Sequence, residues 1–161
     1  MRKLKSLKGV DFIFTLGVLF IASSTIHEYG HLATLRLLGG KGVIDSGVLN
    51  GVILIESCQY QHGNILVAFM GGYLSAMVFL VLWVLTEDPE VKVSRFCILT
   101  YQLIYGTFEG LWYATGNDIL LAVGVIAGIV VMFLVMLNAL FRRGVVFRFV
   151  TRQSNDNNIS L

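Results

Sequence analysis

Four predominantly apolar stretches, at about residues 10–38, 64–85, 96–112 and 119–141, constrain this chain more than any other feature. A helix rises ~1.5 Å per residue, so crossing ~30 Å of hydrocarbon takes ~20 residues. All four stretches come near or above that length, the third being the shortest and interrupted by Gln102 and Glu109. Of the 161 residues, 56% are hydrophobic and 14% charged, and a water-soluble domain of this size could not hide so much apolar surface. The expected fold is an all-α membrane bundle of about four transmembrane helices in a lipid bilayer, multi-pass and forming one domain over residues 1–141. Residues 142–161 are expected to form a basic, partly disordered tail. The opening MRKLKSLK followed by apolar residues superficially resembles a signal peptide. The apolar segment is too long for a cleaved core, however, and it carries the motif discussed below. No lipidation motif is visible.

The segment from Gly42 to Tyr60 is different in kind. Asn50-Gly51 separates two runs rich in Val, Ile and Leu, a pattern that favours a hairpin with a type I′ turn. Strands are expected at about Val43–Leu49 and Val52–Ser57, giving a short β-hairpin between the first and second helices. Pro89, the one proline, lies in the polar turn TEDPE between the second and third stretches, where a break is expected. Arg and Lys are concentrated at the termini and around residues 92–95, so the positive-inside rule favours both termini in the cytoplasm. No basic run with interleaved aromatics is present, so nucleic acid is not an expected partner. Cys58 and Cys97 lack C-x-x-C spacing, which argues against a disulfide framework or a cysteine metal site.

Within the first stretch lies HEYGH, residues 27–31, a match to H-E-x-x-H. On a helix, His27 and His31 share one face, about 6 Å apart at Cβ. Two imidazoles so placed can grip one Zn2+ at ~2.0–2.1 Å per bond. Zinc lowers the pKa of a coordinated water towards ~7, and Glu28 is placed to take its proton. Ionisable groups inside a span are costly and point to function by default, and three on one helical turn are hard to explain as packing. The bland alternative is a helix end whose His and Glu are merely wetted at an interface.

A catalytic zinc usually has three protein ligands and an open position. Asp118, in TGND at the entrance to the fourth stretch, is the first choice for the third ligand. As an alternative it is a helix N-cap, or Asn117 caps while Asp118 ligates. Glu109 is the second choice. Gln102, Tyr105, Glu109 and Tyr113 share roughly one helical face, a polar stripe expected to point inward, where Glu109 could also accept from an imidazole N–H. His62, at a span border, is the third choice.

The string TIHEYGHLATLRLLGG, Thr25–Gly40, resembles the zinc-binding helix of the site-2 protease family of intramembrane metalloproteases. The hairpin falls where that family has a membrane-associated β segment. Gly71, Gly72, Tyr73, Leu74 and Ser75 occupy the frame of its G-P-x-x-N element, with Gly replacing Pro and Ser replacing Asn. Gly116-Asn117-Asp118-Ile119 matches its helix-start aspartate but lacks the following Gly. The resemblance covers about residues 12–125, is specific at the zinc helix and loose elsewhere, and implies a divergent branch. It implies a zinc metalloendopeptidase that hydrolyses membrane-embedded or membrane-border segments of a membrane-protein substrate held as an added strand on the hairpin. A regulatory membrane partner would fit so small a chain. The alternatives are a catalytically silent membrane partner or chaperone that retains a zinc site, and a metal-ion transporter. One conflict stands: the family's metal lies nearer the cytoplasm, whereas the charge count puts His27, ~25 Å into the first helix, towards the opposite face.

Overall fold

A computed structural model describes residues 9–46, 51–58 and 63–142. The elements run α1 Gly9–Leu37, β1 Lys41–Ser46, β2 Gly51–Ser57, α2 Gly63–Leu85, α3 Pro89–Thr115 and α4 Asp118–Arg142. This is the expected bundle of four helices with a hairpin between the first two. Three of the helices, α1, α2 and α4, are long and apolar enough to cross a membrane. The expected tail, beyond Arg142, lies outside the described residues, as does His62.

Helix α3 begins at Pro89, seven residues before the expected start of the third span. Pro89 initiates the helix there. Its missing N–H falls where no intrahelical bond is due, and Asp88 caps the turn by accepting from the backbone N–H of Glu90 (2.9 Å) and Val91 (3.1 Å). The polarity that made this segment look short reflects its place in the fold. Helix α3 packs against α1, α2 and α4, so its polar face meets protein.

Close packing depends on glycine. A Cβ built on Gly72 would stand 2.4 Å from Gly106 Cα, so α2 and α3 touch backbone to backbone. Gly124 and Gly128 of α4 receive Phe108 and Tyr101 of α3 in the same way. The rest of α4 turns large apolar side chains outward, among them Ile126, Val130, Phe133 and Leu134. Such a surface suits hydrocarbon better than water.

Helix α1 ends in a Schellman motif. Gly39 adopts φ 70°, Gly39 N–H bonds to Arg36 O (3.0 Å), and Gly40 N–H bonds to Leu35 O (2.9 Å). The fully buried Leu35 then packs where Gly40 and Gly42 leave room, and Arg36 donates to Gly42 O (3.2 Å), which fixes the hairpin to the end of α1.

The hairpin register differs from expectation. Ser46 pairs with Gly51, and residues 47–50, which include the expected end of β1 at Leu49 and Asn50 of the expected turn, lie outside the described residues. A two-residue turn at Asn50-Gly51 would have set Asp45 opposite Glu56, a destabilising like-charge pair. The observed register instead sets Val43 opposite Leu54 and Ile44 opposite Ile53.

Candidate metal centre

His27 and His31 lie one turn apart on the inward face of α1, 3% and 4% exposed. The approach of α2 is what buries His31. A Cβ on Gly30 would meet Gly71 O at 3.0 Å, and a Cβ on Gly71 would sit 2.2–2.7 Å from three ring atoms of His31, so the imidazole occupies the space that glycine leaves empty. From the other side, α3 presents Gln102 and Glu109, two turns apart, with the Tyr105 ring between them 5.2 Å from the His27 ring.

The hydrogen bonds fix the tautomers. His31 Nδ1 lies 2.6 Å from Val67 O, and a carbonyl can only accept, so Nδ1 carries the hydrogen. Gln102 Nε2 donates to Ser23 Oγ (3.0 Å) and to Ser23 O (3.4 Å), and Ser23 Oγ donates in turn to Phe20 O (2.7 Å). The amide is thereby oriented with Oε1 towards His27 Nδ1, which donates to it at 2.9 Å. In the neutral form both imidazoles would therefore direct an Nε2 lone pair inward.

Those lone pairs face each other. The two Nε2 atoms are 2.9 Å apart, while Glu109 Oε2 lies 2.9 Å from His27 Nε2 and Glu109 Oε1 lies 3.5 Å from His31 Nε2. Acceptor atoms so close in a low-dielectric interior repel unless something positive sits among them. A proton shared with one ring would serve, as would a metal ion. Two imidazoles and a carboxylate form a donor set that could hold a metal ion. The nitrogens also stand within a few tenths of an ångström of the ~3.3 Å left by two ~2.05 Å bonds at a tetrahedral angle.

Glu28 completes the cluster. His27, Glu28 and His31 each offer a ligand atom within 4.8 Å of the others, a group that could hold a metal ion. Glu28 is half-buried, and its carboxylate has no hydrogen-bond partner among the described residues.

Compared with protein-family models, characterised proteins and solved structures, the chain matches none. The geometry brings together His27, Glu28, His31 and Glu109. It does not bring Asp118, the first-choice third ligand, to them. Asp118 is exposed at the first residue of α4, beyond the end of the helix that carries Glu109, and accepts from Trp112 Nε1 at 2.8 Å. Asn117 caps α4 by accepting from Ile119 N–H (3.1 Å), so the capping half of the reading of this turn holds. Of the polar stripe, Gln102, Tyr105 and Glu109 face the histidines, whereas Tyr113 is exposed. Ser23 and the Val67 carbonyl join the site without being among the expected residues. A backbone oxygen leaves no trace in residue identity, and Ser23 stood out only as a polar residue one turn before His27.

Loss of an outer partner of a ligating histidine typically costs 10–100-fold in metal affinity. Gln102→Leu, which removes the Nδ1 acceptor, is expected to weaken metal binding by about that factor in a competition titration. Gln102→Glu, which keeps an acceptor, should stay near the parent.

Proposed function

We propose that the chain is a multi-pass membrane zinc endopeptidase of the site-2 protease type, with the metal held by His27, His31 and Glu109. The observation that carries this reading is the convergence of two Nε2 atoms and a carboxylate, with a second carboxylate, Glu28, beside them and without a hydrogen-bond partner among the described residues. Two imidazoles and an oxygen ligand suit zinc, which often binds catalytically through two histidines and a glutamate. When bound, such an ion supplies Lewis acidity, polarising a peptide carbonyl and making a nearby water more acidic.

The chain's own residues do the rest. Glu28, with a carboxylate oxygen within 4.8 Å of the ligand atoms of His27 and His31, would receive a proton from the attacking water and return it to the departing amine. Gln102 and the Val67 carbonyl hold the rings in the ligating tautomer. Burial of both histidines limits water at the site, which strengthens each electrostatic contact there. Beyond the site, each strand of the two-stranded hairpin has one edge unpaired among the described residues, and a substrate backbone can add there as a strand.

Glu28→Gln tests the reading. General acid–base catalysis contributes about 10²–10⁴-fold, so cleavage of a membrane-segment peptide by the purified protein should fall by that factor while metal content stays unchanged. Undiminished cleavage would remove Glu28 as the base. A catalytically silent metal- or proton-bound bundle is the competing reading, favoured by the way the Glu109 carboxylate spans both rings. It is established instead if the zinc-loaded parent cleaves nothing. A transporter reading needs polar groups stepping across the bilayer, whereas these gather at one level, and metal uptake into vesicles would separate the two.

A further inference from the structure

The depth of the site can be measured along three helices, and all three agree. His31 lies six residues from the hairpin end of α1, Val67 four residues from the hairpin end of α2, and Glu109 six residues from Thr115 at the same end of α3. Those separations are ~6–9 Å of helix rise. Towards the opposite end the same residues are 19 from Phe12, 18 from Leu85 and 20 from Pro89, or ~27–30 Å. The cluster is therefore shallow, about one to two turns below the end of the bundle that carries the hairpin.

The two ends differ sharply in charge. Of the 12 Lys and Arg residues, only Arg36 and Lys41 belong to the hairpin end. The other ten precede α1, start α3, or end and follow α4: Arg2, Lys3, Lys5, Lys8, Lys92, Arg95, Arg142, Arg143, Arg148 and Arg152. Short flanking segments rich in Lys and Arg stay in the cytoplasm. An asymmetry of ten to two, with every connection short, favours this orientation although the resembled family holds its metal nearer the cytoplasm.

We infer that the cluster opens to the non-cytoplasmic face of the membrane, and that its substrates are membrane-protein segments whose scissile bond lies at that outer border. The substrate half rests on the endopeptidase reading above, whereas the orientation does not. The hairpin, fixed to α1 by Leu35 and Arg36, then projects from the outer leaflet, where an extended segment can reach it without crossing the bilayer. A bond near the cytoplasmic border would have to travel most of the hydrocarbon thickness to meet Glu28.

The chain carries its own reporter. Cys58, free and partly exposed, follows β2 at the hairpin end, and the other cysteine, Cys97, is fully buried. In intact cells that express the full chain with Cys97→Ser, a membrane-impermeant maleimide should label Cys58. With Cys58→Ser added and Glu87→Cys placed on the exposed turn between α2 and α3, labelling should require permeabilisation. Labelling at Glu87→Cys in intact cells, or at Cys58 only after permeabilisation, overturns the orientation. Two membrane peptides, cleavable near the outer or the inner border, then test the substrate half in oriented vesicles, with the outer-border peptide expected to be cut. Preference for the inner-border peptide overturns the substrate claim. Cleavage of neither, with Cys58 labelled outside, defeats the protease reading and the substrate claim together while the orientation stands.

Discussion

Glu109→Ala is expected to empty the metal centre, and Asp118→Ala to leave it filled. The two carboxylates lie on adjacent helices, but only one reaches the imidazoles. Glu109 spans both Nε2 atoms at 2.9 and 3.5 Å, and Asp118 is exposed and engaged with Trp112. Removal of Glu109 takes away the negative charge that makes a divalent ion welcome among neutral ligands. The affinity loss should therefore exceed the ~10–100-fold typical of an outer partner. Glu109→Gln, which keeps the shape and loses the charge, should fall between. Metal stoichiometry of the purified, zinc-replete variants decides the matter. Full occupancy in Glu109→Ala with an empty Asp118→Ala would restore the helix-start aspartate as the ligand.

Gly71→Ala should be as damaging as loss of a ligand, although Gly71 bonds nothing. A methyl group there would lie 2.2–2.7 Å from His31 Cε1, Nε2 and Cδ2, and the ring has no free direction in which to move. It is held by Val67 O on one side and faces His27 Nε2 and Glu109 on the other. Either α2 backs away from α1 or the imidazole leaves its position. Overpacking of this kind costs about 1–3 kcal/mol, and here it also dislodges a ligand. Thermal unfolding in detergent and metal titration should both shift. Gly17→Ala on α1 is the matched control, since a Cβ there meets nothing within 4 Å. Parent-like stability and metal binding in Gly71→Ala would mean that the helices do not approach as described.

The contrast between Asp118 and Glu109 shows how far residue order can be read. Helices α1, α2 and α4 follow from long, predominantly apolar runs, because a span must satisfy its own backbone and coat itself in hydrocarbon. The histidine pair follows from helical spacing alone. The face of α3 was also legible, and Gln102 and Glu109 do meet His27. Rank was not legible. Asp118 and Glu109 are nine residues apart, and nothing local says which of two helix ends lies level with His31. That depends on where α3 starts, and Pro89, a residue that both breaks and begins helices, moved the start by two turns. The hairpin register depended in the same way on cross-strand partners, since Asn50-Gly51 reports only local turn preference.

Glu109 and His27 are 82 residues apart in the chain and belong to helices that also meet through the hydrogen bonds of Gln102 to His27 and Ser23. An ion held between them acts as a clasp on the bundle, fastening the first helix to the third. Its binding energy would then appear as folding stability, and chelation should loosen the protein. With an ion in place, any force that tilts α3 outward would unfasten the clasp, so that metal occupancy and the closed state of the bundle would be one equilibrium.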